Sequence, residues 1–316
     1  MLRRLFIPLL AALAALSLIA PAASAAAVFP TGLRIGLEPP PGLAVSHRMP
    51  GFEDPEHRVA VAIFQLPGQA YDALLKAGFD RETQGMTNVG KADFAIAGGT
   101  AYLITGAVKV NGHGEHRWFL LAKPKPGDEG QGVTCLIRVD VPDSARAVYS
   151  DAVMRKMLAS VDFRPTPTQE LLGLLPFKLG DLAGFRIAGV LPGGAVLTAG
   201  PKDEIGSAKQ PYLIVAVGRG GPSDPALRDN FARDMLHNGP LTDIAVTSAD
   251  NIRIGRMPAL ELRADAKDQA GQPVKVVQWL RFGSGGFMRV IGVAPKGDWD
   301  KVFNRFRAVR DGIESR

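Results

Sequence analysis

The 316-residue chain is 46% hydrophobic and 22% charged, the balance of a globular protein long enough for about two domains. Its formal charge of +6 is reached without any run of five or more Lys/Arg, which sets aside the usual basic patch for nucleic acid or lipid headgroups. Cys135 is the single cysteine, so no intramolecular disulfide can form and stability must come from packed cores.

The chain begins with Arg3 and Arg4, an apolar run over residues 5–20, and Ala23-Ser24-Ala25. That pattern predicts a secretory signal peptide, residues 1–25, and a mature product that is periplasmic and soluble. The apolar run is shorter than the roughly 20 residues of a membrane span, and no later run approaches that length, so no transmembrane segment is expected after cleavage. No cysteine stands at the cleavage site to carry a lipid, so the product is not expected to be a lipoprotein. Loss of Arg3 and Arg4 takes the charge from +6 to +4.

Residues 32–37 read as a short strand that stops at Pro39-Pro40-Pro41, a rigid segment without backbone donors. Residues 47–58 read as a polar loop and 59–64 as a buried strand. Over residues 69–79, Tyr71, Leu74 and Leu75 fall on one helical face. A hairpin follows, with Phe94-Ala95-Ile96 and Ala101-Tyr102-Leu103-Ile104 leading through Asn111-Gly112-His113-Gly114 to Trp118-Phe119-Leu120-Leu121. Residues 132–139 form a strand, and Pro142-Asp143-Ser144 signals a helix running to Val161.

Arg164-Pro165-Thr166-Pro167-Thr168 is the clearest linker, since two prolines in three residues block helix and central strand alike. This divides the chain into a first module at 26–164, a linker with a short helix at 165–183, and a second module at 184–316. Gly184-Phe185-Arg186-Ile187 echoes Gly32-Leu33-Arg34-Ile35, residues 212–217 match the strand at 59–64, and Asp224-Pro225 starts a helix. A second hairpin runs from Asn251 to Phe282, and Ala259 aligns with Ala101 and Trp279 with Trp118. Residues 286–293 form a strand. The last helix, 298–313, carries Trp299, Val302, Phe303, Phe306 and Val309 on one face. The expected fold class is therefore α+β: two repeated antiparallel-sheet modules, each with helices packed on the sheet as an α/β/α sandwich.

Residues 32–37 with Pro39-Pro40-Pro41-Gly42, the two central hairpins and the helices at 144–161 and 298–313 together resemble the PsbP-like fold. That fold is shared by an extrinsic photosystem subunit and a family of Ran-binding proteins. Two tandem copies would span nearly all of the mature chain. The resemblance implies binding or assembly factors without catalytic residues, and it carries over no particular partner.

Chemistry is thin in this sequence. His113-Gly114-Glu115-His116 holds two imidazoles and a carboxylate, but at a hairpin turn instead of a helix face, so no metal site is expected. Gly283-Ser284-Gly285-Gly286 and Gly218-Arg219-Gly220-Gly221 read as turns. Cys135, in an apolar run with no basic neighbour, reads as a small buried hydrophobe. On the second hairpin, Lys275, Val277, Trp279 and Arg281 share one strand face, while Val274, Val276, Leu280 and Phe282 share the other, which should be core. Glu261 and Arg263 are expected to line up with Lys275 and Arg281 across the strand pair. Glu261, Arg263, Lys275, Trp279 and Arg281 thus form the candidate interaction surface.

The function expected from the sequence is non-catalytic binding or assembly in the periplasm, through sheet faces or the cleft between modules. The partner would be a periplasmic protein or envelope component, with no nucleic acid and no cofactor. Two alternatives stand beside it: a hydrolase-like enzyme using His47 or His57 in the inter-module cleft, and a small-molecule carrier with a closed apolar pocket there.

Overall fold

A computed structural model describes residues 26–128, 131–202, 209–283 and 285–316. The leader assigned to residues 1–25, and Ser284 of the glycine turn, lie outside the described residues. In the first module the elements are β1 (Ile35–Gly36), β2 (Ala44–Val45), β3 (Gly51–Asp54), β4 (Val59–Pro67), α1 (Ala70–Ala77), β5 (Thr87–Ile96), β6 (Gly99–Val110), β7 (His113–Pro124), β8 (Val133–Pro142), α2 (Asp151–Ala159) and β9 (Asp162–Phe163). After α3 (Thr168–Gly173) the second module has β10 (Phe177–Leu179), β11 (Arg186–Leu191), β12 (Gly194–Thr198), β13 (Tyr212–Arg219), α4 (Arg228–His237), β14 (Thr242–Ile254), β15 (Met257–Lys267), β16 (Pro273–Gly283), β17 (Gly286–Pro295), α5 (Trp299–Asp311) and β18 (Ile313–Ser315).

Each module is built on a seven-stranded antiparallel sheet, ordered β2-β3-β4-β8-β7-β6-β5 in the first and β11-β12-β13-β17-β16-β15-β14 in the second. The two orders are the same, position for position, so the fold is α+β and made of two repeated modules. In both, a two-stranded sheet joins the first strand to the residues after the last helix, β1 with β9 and β10 with β18.

The strands are apolar on both faces because both faces are covered. On β7, Trp118, Leu120 and Ala122 pack into a core with Met154, Met157 and Leu158 of α2, while Phe119 and Leu121 pack with Tyr71 of α1 on the other side. On β16, Val277 and Trp279 pack with Val302, Phe306 and Val309 of α5, while Val274, Val276, Leu280 and Phe282 face Leu236 and Ala232 of α4.

The register corrects three details of the sequence reading. Gly184-Phe185 precedes β11, the counterpart of β2 in sheet order, so its equivalent is Gly42-Leu43 and not Gly32-Leu33, although all three pairs make the same turn, Leu33 N to Pro30 O, Leu43 N to Pro40 O and Phe185 N to Leu182 O. Trp118 lies opposite Thr105 and Trp279 opposite Glu261, which shifts the alignment of Ala101 with Ala259 by two residues, an even slip that keeps every side chain on its face. Finally, the helix expected to start at Pro142-Asp143-Ser144 opens as one 3-10 turn, and α2 begins only after Ser150, whose hydroxyl accepts from Val153 N.

Between the modules, α3 is held from both sides. Arg164 and Glu170 form an ion pair at 2.7 Å, and the same carboxylate accepts from Gly32 N at 2.9 Å. Leu172 packs on the second core, and Arg316 donates to the carbonyl oxygens of Gly173 and Leu175. Leu175 and Phe177 are buried in that core, so the second packed unit begins within the stretch read as linker. No helix among the described residues is long and apolar enough to cross a membrane.

Candidate functional site

Of the five residues expected to form an interaction surface, the central two lie inside the protein. Trp279 is 1% exposed and Glu261 6%, both beneath α5. The Trp279 indole N–H donates to Glu261 Oε2 at 2.6 Å, and the Arg310 guanidinium of α5 stands 4.8 Å from the ring centroid and 3.7 Å from the same carboxylate. Trp279 therefore contacts neither a partner nor the first module in this fold; it anchors the helix of its own module. The reason lies in the length of the helix footprint. Lys275 and Arg281 sit near the two ends of β16, whereas Val277 and Trp279 lie under the middle of α5, so a face that alternates with charges at its margins is still core at its centre.

The expected cross-strand pairs also differ. Glu261 binds Arg263 of its own strand at 2.7 Å, Lys275 lies opposite Asp265, and Arg281 lies opposite Ala259 and donates to Ser315 Oγ at 2.9 Å. Arg263, Lys275 and Arg281 keep contact with solvent. The first module repeats the arrangement with different parts: the buried Trp118 donates to Asp151 of α2 at 3.0 Å, and Arg155 pairs with that aspartate at 2.7 Å.

His113 and His116 are three apart on a strand, so they project to opposite faces, and the His116 ring lies against Trp118 with centroids 4.3 Å apart. Burial lowers the pKa of His116. Cys135 is fully buried in the first core, and burial pushes its thiol pKa up. Intact protein should therefore leave a disulfide-exchange reagent such as DTNB unreacted until denaturant is added; prompt reaction of the native protein would contradict this placement.

His47 and His57 flank β3 in the first module, and the nearby groove of about 580 Å³, lined by Arg48, Asp54 and Arg58 among others, draws on residues of that module alone. His57 Nδ1 is 2.7 Å from Asp54 Oδ2, and the Tyr149 hydroxyl donates to the same oxygen. The other oxygen, Oδ1, accepts from the backbone N–H groups of Glu56 and His57. With the Tyr149 hydrogen bond as the largest cause, the Asp54 pKa falls to about 2. Both oxygens are thus committed to holding the β3–β4 turn and the Tyr149 segment together. Sequence reading passed over Asp54 because it sits in a polar stretch that looked like loop.

The feature that the sequence did not reveal is a groove of about 500 Å³ at one end of the second sheet. It is formed where β13, β14 and β16 end and β15 and β17 begin, and its apolar wall includes Val217, Met257, Phe282, Phe287 and Met288. Gly218 makes it possible: it lies opposite Phe287 in the register, and a Cβ there would stand 2.3 Å from the ring. Phe287 in turn packs edge-on against Phe231 of α4, with centroids 5.2 Å apart. Arg281 is the charged residue of the wall. Sequence order hides this assembly because its parts come from four separate loops and the C-terminal Ser315.

No family model and no curated protein matches the chain. Solved structures similar to it include the Ran-binding protein Mog1p of Saccharomyces cerevisiae, at 14% identity over 42% of this chain and 86% of that one, with a TM-score of 0.32. The PsbP protein CyanoP of Synechocystis sp. PCC 6803 is similar at 10% identity over 46% of this chain and 95% of that one, with a TM-score of 0.27. The immunity protein TplEi of the T6SS of Pseudomonas aeruginosa is similar across both modules, at 12% identity over 92% of this chain and 96% of that one, with a TM-score of 0.29. The structures similar to this chain thus include a PsbP protein and a Ran-binding protein, the two groups named by the PsbP-like resemblance of its sequence.

Proposed function

We propose that this chain is a non-catalytic periplasmic binding protein that holds a protein partner at the loop end of its second module. The observation that carries this reading is the groove of about 500 Å³ at that end, with Met257 exposed at its mouth, Phe282 and Met288 recessed within it and Arg281 in its wall. A recess of this size, apolar with one charged group, is the kind of feature that receives a ligand side chain. Helices occupy the middle of both sheet faces in each module, which moves the expected contact from the faces to the strand ends. The periplasmic part of the reading rests on the leader pattern at residues 1–25.

The test uses the chain without its leader, immobilised as bait in an envelope extract, with Met257→Arg as the variant that fills the groove mouth. Wild type should retain a defined partner that Met257→Arg loses, at an unchanged melting temperature. Turnover of a substrate by the purified protein, abolished by His57→Ala, would instead favour a site in the first module.

A further inference from the structure

We infer that the groove at the loop end of the second module takes an acidic peptide segment, with one large apolar side chain in the recess and carboxylates beside it facing the arginines gathered at that end of the sheet. This rests on the binding reading above and adds the chemistry of the partner. The strand register brings Arg219 at the end of β13, Arg253 near the end of β14, Arg256 in the β14–β15 turn and Arg281 near the end of β16 to the same end of one sheet. Arg219, Arg253 and Arg256 are exposed, and among the described residues none of the four guanidinium groups takes part in an ion pair. Neither Asp nor Glu is among the residues lining the groove. Four guanidinium groups without a carboxylate partner, one in the wall of an apolar recess and three at the same end of the sheet, complement carboxylates, which they can bind in a planar, two-pronged fashion.

The β14–β15 turn strengthens the point. Gly255 and Arg256 have φ of 54° and 66°, the two-residue hairpin geometry that favours Asn-Gly. In the first module that preferred pair stands at a different turn, Asn111-Gly112 between β6 and β7, with φ of 51° and 82°. The second module instead places an arginine where a left-handed backbone disfavours any side chain with a Cβ. A protruding cation is thus kept at a strained apex beside the groove.

The shape separates a peptide from a lipid surface. A membrane-inserting end presents several protruding apolar side chains, whereas here Met257 is exposed at the mouth but Phe282 and Met288 are buried, Arg281 stands in the wall, and Arg219, Arg253 and Arg256 are exposed at the same end of the sheet, so a side chain enters the protein and not the reverse.

The experiment titrates the leaderless chain into a fluorescein-labelled synthetic peptide holding one Phe flanked on both sides by Asp and Glu, read by anisotropy. Wild type should bind it, more weakly as salt rises. Arg253→Glu with Arg256→Glu should weaken binding on the order of tenfold or more. A peptide with Lys in place of the acids should not bind. Arg256→Gly, which relieves the turn, should weaken binding while keeping or raising the melting temperature. Failure of the acidic peptide to bind, or equal binding by the charge-reversed variant, would overturn the inference, as would binding of phosphatidylglycerol vesicles in its place. If Met257→Arg abolishes capture of the envelope partner and the arginine changes do not touch it, the acidic-peptide assignment falls and the binding reading stands. If neither change affects capture, both fall.

Discussion

Trp279→Ala should destabilise the second module by about 3–5 kcal/mol, the usual cost of truncating a fully buried aromatic residue. The indole fills the space between β16 and α5, touches Phe303 with centroids 6.3 Å apart, and supplies the hydrogen bond that Glu261 accepts. Removing it opens a cavity and leaves a buried carboxylate with fewer donors, so the two penalties act together. Trp279→Phe separates them: it retains most of the volume and loses the N–H, and should cost about 1–3 kcal/mol. Denaturant titration followed by circular dichroism measures both. Had Trp279 been a surface contact for a partner, the alanine variant would melt like wild type and lose only binding; that result would contradict the packing described here.

The second large effect is expected at Asp54. Asp54→Ala removes the acceptor of the Tyr149 hydroxyl, the His57 partner and the two backbone contacts of the β3–β4 turn, and should cost the first module about 3 kcal/mol, since hydrogen bonds to a charged group are worth more than neutral ones. Its pH dependence has a defined sign. The folded-state pKa, about 2, lies below the ordinary carboxylate value, so this contribution is complete above the ordinary range and is lost as pH falls through it toward about 2. Tyr149 works in the opposite range. Burial and the Asp54 charge raise its pKa, so stability falls once pH climbs past the ordinary phenol value, where the unfolded chain ionises first. An acid titration of unfolding free energy in which Asp54→Ala shows the same slope as wild type below pH about 4 would contradict the assignment.

Much of the architecture was legible because the two hairpins and the last helix carry unambiguous periodicity: Trp118, Leu120 and Ala122 alternate, and Trp299, Val302, Phe306 and Val309 recur every three or four residues. The short strands were harder. β3, Gly51-Phe52-Glu53-Asp54, lies in a stretch read as loop, because its single large apolar residue, Phe52, gives no alternation to detect. The echo at Gly184-Phe185-Arg186-Ile187 misled for a related reason: a four-residue pattern recurs by chance, and only the place of β11 in its sheet shows that the true counterpart is Gly42-Leu43.

The site was less legible than the fold. A period of two shows which residues share a strand face, but not how far along the strand a helix covers it, so Trp279 could not be told from Lys275 and Arg281. The groove depends on which strand ends meet, and that follows from sheet order and not from spacing along the chain. Arg281 alone belongs both to the surface proposed from sequence and to the groove wall.

Site-specific photo-crosslinking tests the central claim most directly. A benzophenone amino acid placed at Met257, at the groove mouth, or at Lys275, toward the opposite end of β16, would be activated in intact cells producing the full chain. The account predicts a discrete crosslinked partner from position 257 and none from position 275. Crosslinking from position 275 alone would place the contact on the sheet face and contradict it.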